Sequence, residues 1–414
     1  MRRGLRGRPL RGGAAGWRGV ALQAGRFWPA VGWRCGLAPD AAKIVGTLPA
    51  RHRSDKVLPH RPFIMMLLKR FAPALAGLLL GFGVAAGSAQ TALPPAVGTA
   101  AANAAAALAQ DGVTTRDAEW LDGTRQRMVP VRIYLPASVS GPARAKLPLV
   151  LFSHGLGGTR MGYSHLGRHF AQNGFIAVHV QHAGSDRAVW QGGPFALLGN
   201  LRDAASEVNA LARVQDVSFA LTTLLADREL GGLIDSGAIA IAGHSYGANT
   251  AMLIAGAAVE RDGRRVSFAD ARIKAAILLS APPFHGEGNQ VAVLRDVRLP
   301  TLHITGSDDV IRVPGYGSDV ADRIGVFRDM PALPDKKFLA IFEGGEHSVF
   351  TDRTRTERAL AIKAATRDLC VAFLRSTLLR EGGAMEPVFT AVKGLLIEPD
   401  RLMARRLDAH LRSN

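Results

Sequence analysis

Cysteine is nearly missing from this chain: Cys35 and Cys370 are the only two among 414 residues. A disulfide-stapled framework is excluded, and if the leader is removed Cys370 has no partner at all. Cys370 lies in the apolar run 369–374, which reads as a buried structural thiol. Aromatic residues make up only 6% of the sequence, and no internal repeat is present. Acidic residues are scarce in one region only. Residues 1–64 hold 13 Lys and Arg against 2 Asp and Glu, whereas residues 90–414 hold 36 against 32. The net charge of +17 therefore belongs mostly to the leader, and the remainder offers no basic patch suited to nucleic acid. The apolar run Phe71–Ala86 is short for a membrane span and is interrupted by Pro73 and glycines. A stable membrane span after signal cleavage is not expected.

What is present begins with that run. Met65–Arg70, the apolar stretch and Gly87-Ser88-Ala89 follow the order of a secretory signal peptide: charged, hydrophobic, small. Residues 65–89 are thus expected to direct export to the periplasm or the medium. Residues 1–64 read as a basic leader upstream of the true start, and residues 90–113 as an Ala-rich linker.

From Thr114 to about residue 380 the pattern is that of one catalytic domain, with 381–414 as a C-terminal extension. Asp122-Gly123 between two alternating segments predicts a hairpin. Apolar strands are then expected at 147–153, 175–180, 238–242, 275–280, 301–305 and 338–342, and helices at 164–173, 204–226, 246–259 and 356–379. This alternation predicts an α/β fold with a mostly parallel central sheet, an antiparallel N-terminal hairpin and helices on both faces. The long connections 184–202 and 281–298 follow strand C-termini, where open parallel sheets bind ligands. Trp190, Phe195 and Phe284 lie in them and are possible pocket residues, with core packing an equal reading.

Gly243-His244-Ser245-Tyr246-Gly247 matches Gly-x-Ser-x-Gly. The pentapeptide alone is a weak signal. Its place between an apolar strand and a helix makes it strong, because that turn exposes the serine hydroxyl. A serine needs a base, and the base needs an orienting carboxylate, in chain order Ser, acid, His. Gly306-Ser307-Asp308-Asp309 and Glu346-His347 follow later strands in that order. Ser245, Asp309 and His347 are the candidate catalytic residues, with Asp309 favoured over Asp308 by the Gly-x-x-Asp spacing. Oxyanion donors are expected from the amides of Tyr246 and Leu156, the latter in the glycine-rich loop His154–Gly158. His154 is expected to brace that loop by hydrogen bonding. His165, His169, His179 and His182 have no His-Glu-x-x-His arrangement, so neither a metal nor a cofactor is expected.

Together these motifs resemble the α/β-hydrolase superfamily. Residues 120–136 and 213–219 resemble, more narrowly, bacterial predicted dienelactone hydrolases related to platelet-activating-factor acetylhydrolases. The resemblance implies a serine esterase that forms an acyl-enzyme and acts on a small-molecule or lipid-like ester with a short acyl group. True dienelactone hydrolases carry cysteine where this chain has Ser245, which argues against that substrate. A peptidase or amidase with the same triad, a lipid or polyester hydrolase, and a non-catalytic binding protein are the alternatives.

Overall fold

The computed structural model describes residues 112–137, 146–313 and 316–413. The leader, the expected signal peptide and most of the expected linker lie outside the described residues.

The strands are β1 (Val113–Asp122), β2 (Arg127–Pro136), β3 (Leu147–Ser153), β4 (Ile176–Val180), β5 (Ile234–His244), β6 (Ala258–Arg261), β7 (Arg264–Ser267), β8 (Ile273–Leu279), β9 (Thr301–Asp308), β10 (Ile311–Val313), β11 (Tyr316–Ser318) and β12 (Lys337–Glu346). The helices are α1 (Ser164–Gln172), α2 (Gly193–Ala204), α3 (Glu207–Ala226), α4 (Tyr246–Ala255), α5 (Gln290–Leu294), α6 (Val320–Asp329), α7 (Glu357–Leu378), α8 (Met385–Val392) and α9 (Pro399–Ser413).

Eight strands form one sheet in the order β1-β2-β4-β3-β5-β8-β9-β12. The β1–β2 and β2–β4 pairs are antiparallel, and every later pair is parallel. This is the α/β-hydrolase topology. Both faces of the central strands are covered, which explains their unbroken apolar sequences. Leu149, Leu151, Ile239, Ile241 and Leu278 pack on one face with Val214, Val217 and Leu221 of α3 and Met252 of α4. Val150, Phe152, Ala240, Ala242 and Ile277 point to the other, against Leu166 and Phe170 of α1 and Leu369 and Phe373 of α7. The period of two assigns alternate residues to two separate cores. Cys370 is fully buried in α7, and burial pushes its thiol pKa up.

The expected hairpin forms, with Asp122 paired to Arg127 across the four-residue loop Gly123–Gln126. The Asp122 carboxylate accepts from the amides of Thr124 and Arg125 and carries the turn further. Two local expectations change. The expected helix 204–226 begins at Glu207, because the Ser206 side chain accepts from Asn209 N–H and starts α3 there, and α2 lies in the connection before it. The expected helix 246–259 stops at Ala255. Gly256 follows at φ 126°, and the chain turns into the β6–β7 hairpin.

The C-terminal segment packs on the last strand: Ile397 N–H donates to Ile341 O at 2.9 Å, and Leu402 joins Ile341 in a small apolar cluster. No helix among the described residues is long and apolar enough to cross a membrane.

Candidate active site

Ser245 sits between β5 and α4 with φ 55° and ψ −123°, a conformation that L-residues avoid and that lifts its hydroxyl out of the turn. The flanking glycines make the turn possible. A Cβ on Gly243 would meet Gly247 O at 2.1 Å, and one on Gly247 would meet Ser153 O at 2.0 Å. Any side chain there would push the elbow off β3.

Two other strand ends converge on this turn. Asp309 follows β9 and His347 follows β12, and Gly306 and Gly345 let the two loops touch, since a Cβ on Gly306 would meet Gly345 O at 2.0 Å. His347 Nδ1 lies 2.7 Å from Asp309 Oδ1 and its Nε2 lies 3.0 Å from Ser245 Oγ. A carboxylate only accepts, so Nδ1 carries the proton and Nε2 accepts from the serine hydroxyl. Asp309 is fully buried and its second oxygen accepts from Thr305 Oγ1 at 2.7 Å. Burial alone would raise its pKa. Its hydrogen bond to His347, the charge of that imidazole and the Arg323 guanidinium 3.5 Å away outweigh burial and hold the carboxyl below its usual range. Asp308 is exposed and accepts from Ser307 Oγ at 2.8 Å. It does not face His347.

A family model for platelet-activating factor acetylhydrolase, isoform II, matches residues 124–191, which include the glycine loop. A serine hydrolase (FSH1) family model matches residues 234–321, which include the elbow and Asp309. Two separate stretches of the chain are thus similar to serine hydrolase families. A platelet-activating factor acetylhydrolase from Cavia porcellus is 31% identical to this chain over 149 residues, covering 28% of this chain and 34% of that protein. The chain thus spans about a third of the length of that curated relative. Among solved structures, a cold-adapted esterase from an Arctic intertidal metagenomic library aligns with a TM-score of 0.42 at 19% identity, covering 63% of this chain and 94% of that one.

Around the elbow, the chain carries a buried polar frame whose contacts the motifs did not reveal. Arg213 of α3 is completely buried. It donates to Thr250 Oγ1 at 2.9 Å, Ser185 Oγ at 2.8 Å, Ser153 Oγ at 3.0 Å and the carbonyl of His154, and lies over the Tyr246 ring at 4.6 Å. One turn on, Asp216 accepts from Arg125, Arg127 and His182. Burial would raise its pKa, but the hydrogen bonds from His182 and Arg127 bring it down to about 2. His182 bridges Asp216 to Ser153 Oγ, 3.0 Å from its Nε2. A charged pair one turn apart on this helix was the available signal.

The glycine loop is pinned by its own neighbours. His154 Nδ1–H donates to Gly155 O at 2.8 Å, and His154 Nε2 accepts from His182 N–H at 3.1 Å. Both nitrogens are committed in the neutral ring, and burial lowers its pKa well below the usual value. Gly157 N–H donates to Ser185 O at 2.9 Å, and the Trp190 indole N–H donates to Gly157 O at 2.9 Å. Trp190 thereby lies against the loop while remaining half exposed. Phe284 is partly buried against the core on the α3 side of the sheet. Phe195 is on α2, and its side chain lies outside the described residues. Leu156 and Tyr246 are partly buried at the loop and at the first turn of α4.

Three further histidines have polar partners. His165 pairs with Asp352, His169 with Asp368, and His179 with the carbonyl of Gly162. Among the described residues no three His, Cys, Asp or Glu side chains are grouped to hold a metal ion.

Proposed function

We infer that this hydrolase cleaves carboxylic esters by two-step acyl transfer, with Ser245, His347 and Asp309 as its triad. The reading rests on one observation: a serine in a strained elbow, 3.0 Å from an imidazole whose other nitrogen is 2.7 Å from a buried carboxylate. Ser245 Oγ attacks the ester carbonyl carbon while its proton passes to His347 Nε2. The amides of Tyr246 and Leu156 bind the resulting oxyanion, aided by the N-terminus of α4. Among the described residues neither amide has a backbone acceptor of its own. The ester C–O bond then breaks, and His347 returns the proton to the departing alcohol. Water repeats the sequence to free the acid and Ser245. Asp309 keeps the imidazole in its Nδ1–H form and stabilises it when it is charged.

A short acyl group is part of the reading, supported by the acetylhydrolase similarity, with Trp190 forming a wall beside the glycine loop. So is export, supported by the charged, apolar and small-residue order of residues 65–89. The test uses the full chain beside Ser245→Ala on p-nitrophenyl esters from acetate to palmitate. Turnover by the wild type, lost in the variant and steepest for acetate, is expected. Equal activity in both proteins removes Ser245 from the chemistry.

A further inference from the structure

A chain of hydrogen bonds runs from the glycine loop to the backbone of His347. Gly155 N–H donates to the Tyr163 hydroxyl at 3.3 Å, the hydroxyl lies 2.9 Å from His244 Nδ1, and His244 Nε2 lies 3.0 Å from the backbone carbonyl of His347. The direction is fixed throughout. A carbonyl can only accept, so His244 Nε2 carries the proton; Nδ1 must then accept, and the Tyr163 hydroxyl must donate to it. That leaves the phenolic oxygen to accept from Gly155.

The side chains follow the same path. The ring centres of Tyr163 and His244 are 5.5 Å apart, and those of His244 and His347 are 4.8 Å apart. Gly155 packs on both ends of the first link: a Cβ there would lie 3.2 Å from His244 Nδ1 and 3.3 Å from the Tyr163 hydroxyl. Burial pushes the His244 pKa down to about 3, so the ring stays neutral and keeps this tautomer.

The backbone at Tyr163 marks it out. It precedes α1 at φ 59° and ψ 29°, with no side-chain cap to the helix. Glycine or asparagine suits that conformation better, and a bulky residue there is strained. Helix capping does not account for a tyrosine at this position. Its ring packs on Phe152 in the core, and its hydroxyl bonds both the loop amide and the elbow histidine.

We propose that Tyr163 is a positioning residue which, through His244, holds the backbone of His347 and the glycine loop in one register. The proposal rests on the ester-cleavage reading above and adds a residue to it. Asp309 orients the His347 ring, and the Tyr163–His244 chain sets its backbone. The same chain sets the loop that carries the Leu156 amide. Base and oxyanion donor therefore keep a fixed separation as charge develops.

The experiment uses the full chain as wild type, Tyr163→Phe, His244→Gln and the double variant, each first shown by thermal melting to be folded. Tyr163→Phe removes only the hydroxyl, and His244→Gln removes the Nδ1 acceptor while keeping an amide donor. On p-nitrophenyl acetate, Tyr163→Phe is expected to lower kcat about tenfold, or 1.4 kcal/mol of barrier, with KM within about twofold. Because both substitutions cut one chain, the double variant is expected within about threefold of the weaker single variant. A folded Tyr163→Phe with wild-type kcat overturns the proposal, as does a double variant whose loss is the product of the two single losses. The rate at which an aryl fluorophosphonate labels Ser245 is measured in parallel. Should the wild type label yet fail to cleave esters, the substrate reading falls, and the labelling rates of the four proteins still decide the role of Tyr163.

Discussion

Asp308 and Asp309 are adjacent, chemically identical and differently placed. One is exposed and bonded to Ser307; the other is buried between His347, Thr305 and Arg323. The proposed mechanism makes their substitutions unequal. Asp309→Asn keeps the volume but offers an amide that can donate to Nδ1, which favours the wrong tautomer of His347. We expect kcat on p-nitrophenyl acetate to fall by about 10³–10⁴-fold. Asp308→Asn is expected to stay within about threefold of wild type. Equal losses at the two positions would remove Asp309 from its proposed role. Spacing within Gly-x-x-Asp already favoured the second aspartate, because a loop that leaves a strand presents alternate residues to different sides. The same reading could not reach Tyr163 or His244. Their hydrogen bonds join residues 81 and 103 positions apart, and no local pattern encodes such pairings.

At the scale of elements, α3 carries more than its apolar face. Arg213 and Asp216 form a polar spine that ties β3, the glycine loop, the segment at 182–185 and the β1–β2 turn to one helix. Removing one member leaves buried partners uncompensated, which costs more than the lost contact. Asp216→Ala leaves Arg125, Arg127 and His182 facing one another and is expected to cost about 3–5 kcal/mol. Urea unfolding followed by circular dichroism measures this, and a midpoint unchanged from wild type would show the spine to be dispensable. Most elements were legible in the sequence because central strands buried on both faces are continuous apolar runs bounded by polar turns. Strand β3 at Leu147–Ser153 was read with its observed bounds. The errors fall where one residue redirects the chain: the cap at Ser206 and the stop at Gly256. Each local signal was present but was outweighed by the apolar pattern around it. Strand order was not written in the sequence; it was available only through the superfamily resemblance.

The molecule as a whole keeps an unusual number of histidines dry. His154, His179, His182, His244 and His303 are all essentially buried. Burial, with a neighbouring cation in some cases, lowers their pKa values: about 4 for His179 and His182, about 3 for His244 and His303, and well below the usual value for His154. In the unfolded chain the same residues titrate near 6.5. Between about pH 6.5 and 4, therefore, the unfolded state binds protons that the folded state does not, and stability falls with falling pH. Each histidine contributes up to about 1.4 kcal/mol per pH unit in that window, and the loss levels off once the folded-state pKa is passed. Asp309 and Asp216, held below their usual values, add to the loss only at lower pH, where unfolded carboxylates begin to protonate. The full stability contribution of the histidines is thus present above about pH 7. We expect the melting temperature to be flat from pH 7 to 8 and to drop steeply between pH 6.5 and 5, well before the carboxylates titrate. Differential scanning calorimetry across that range measures it. The variant His303→Gln, remote from the elbow at the middle of β9, is expected to make the drop shallower. A melting temperature constant down to pH 5 would mean that these rings reach solvent or are already charged in the folded protein.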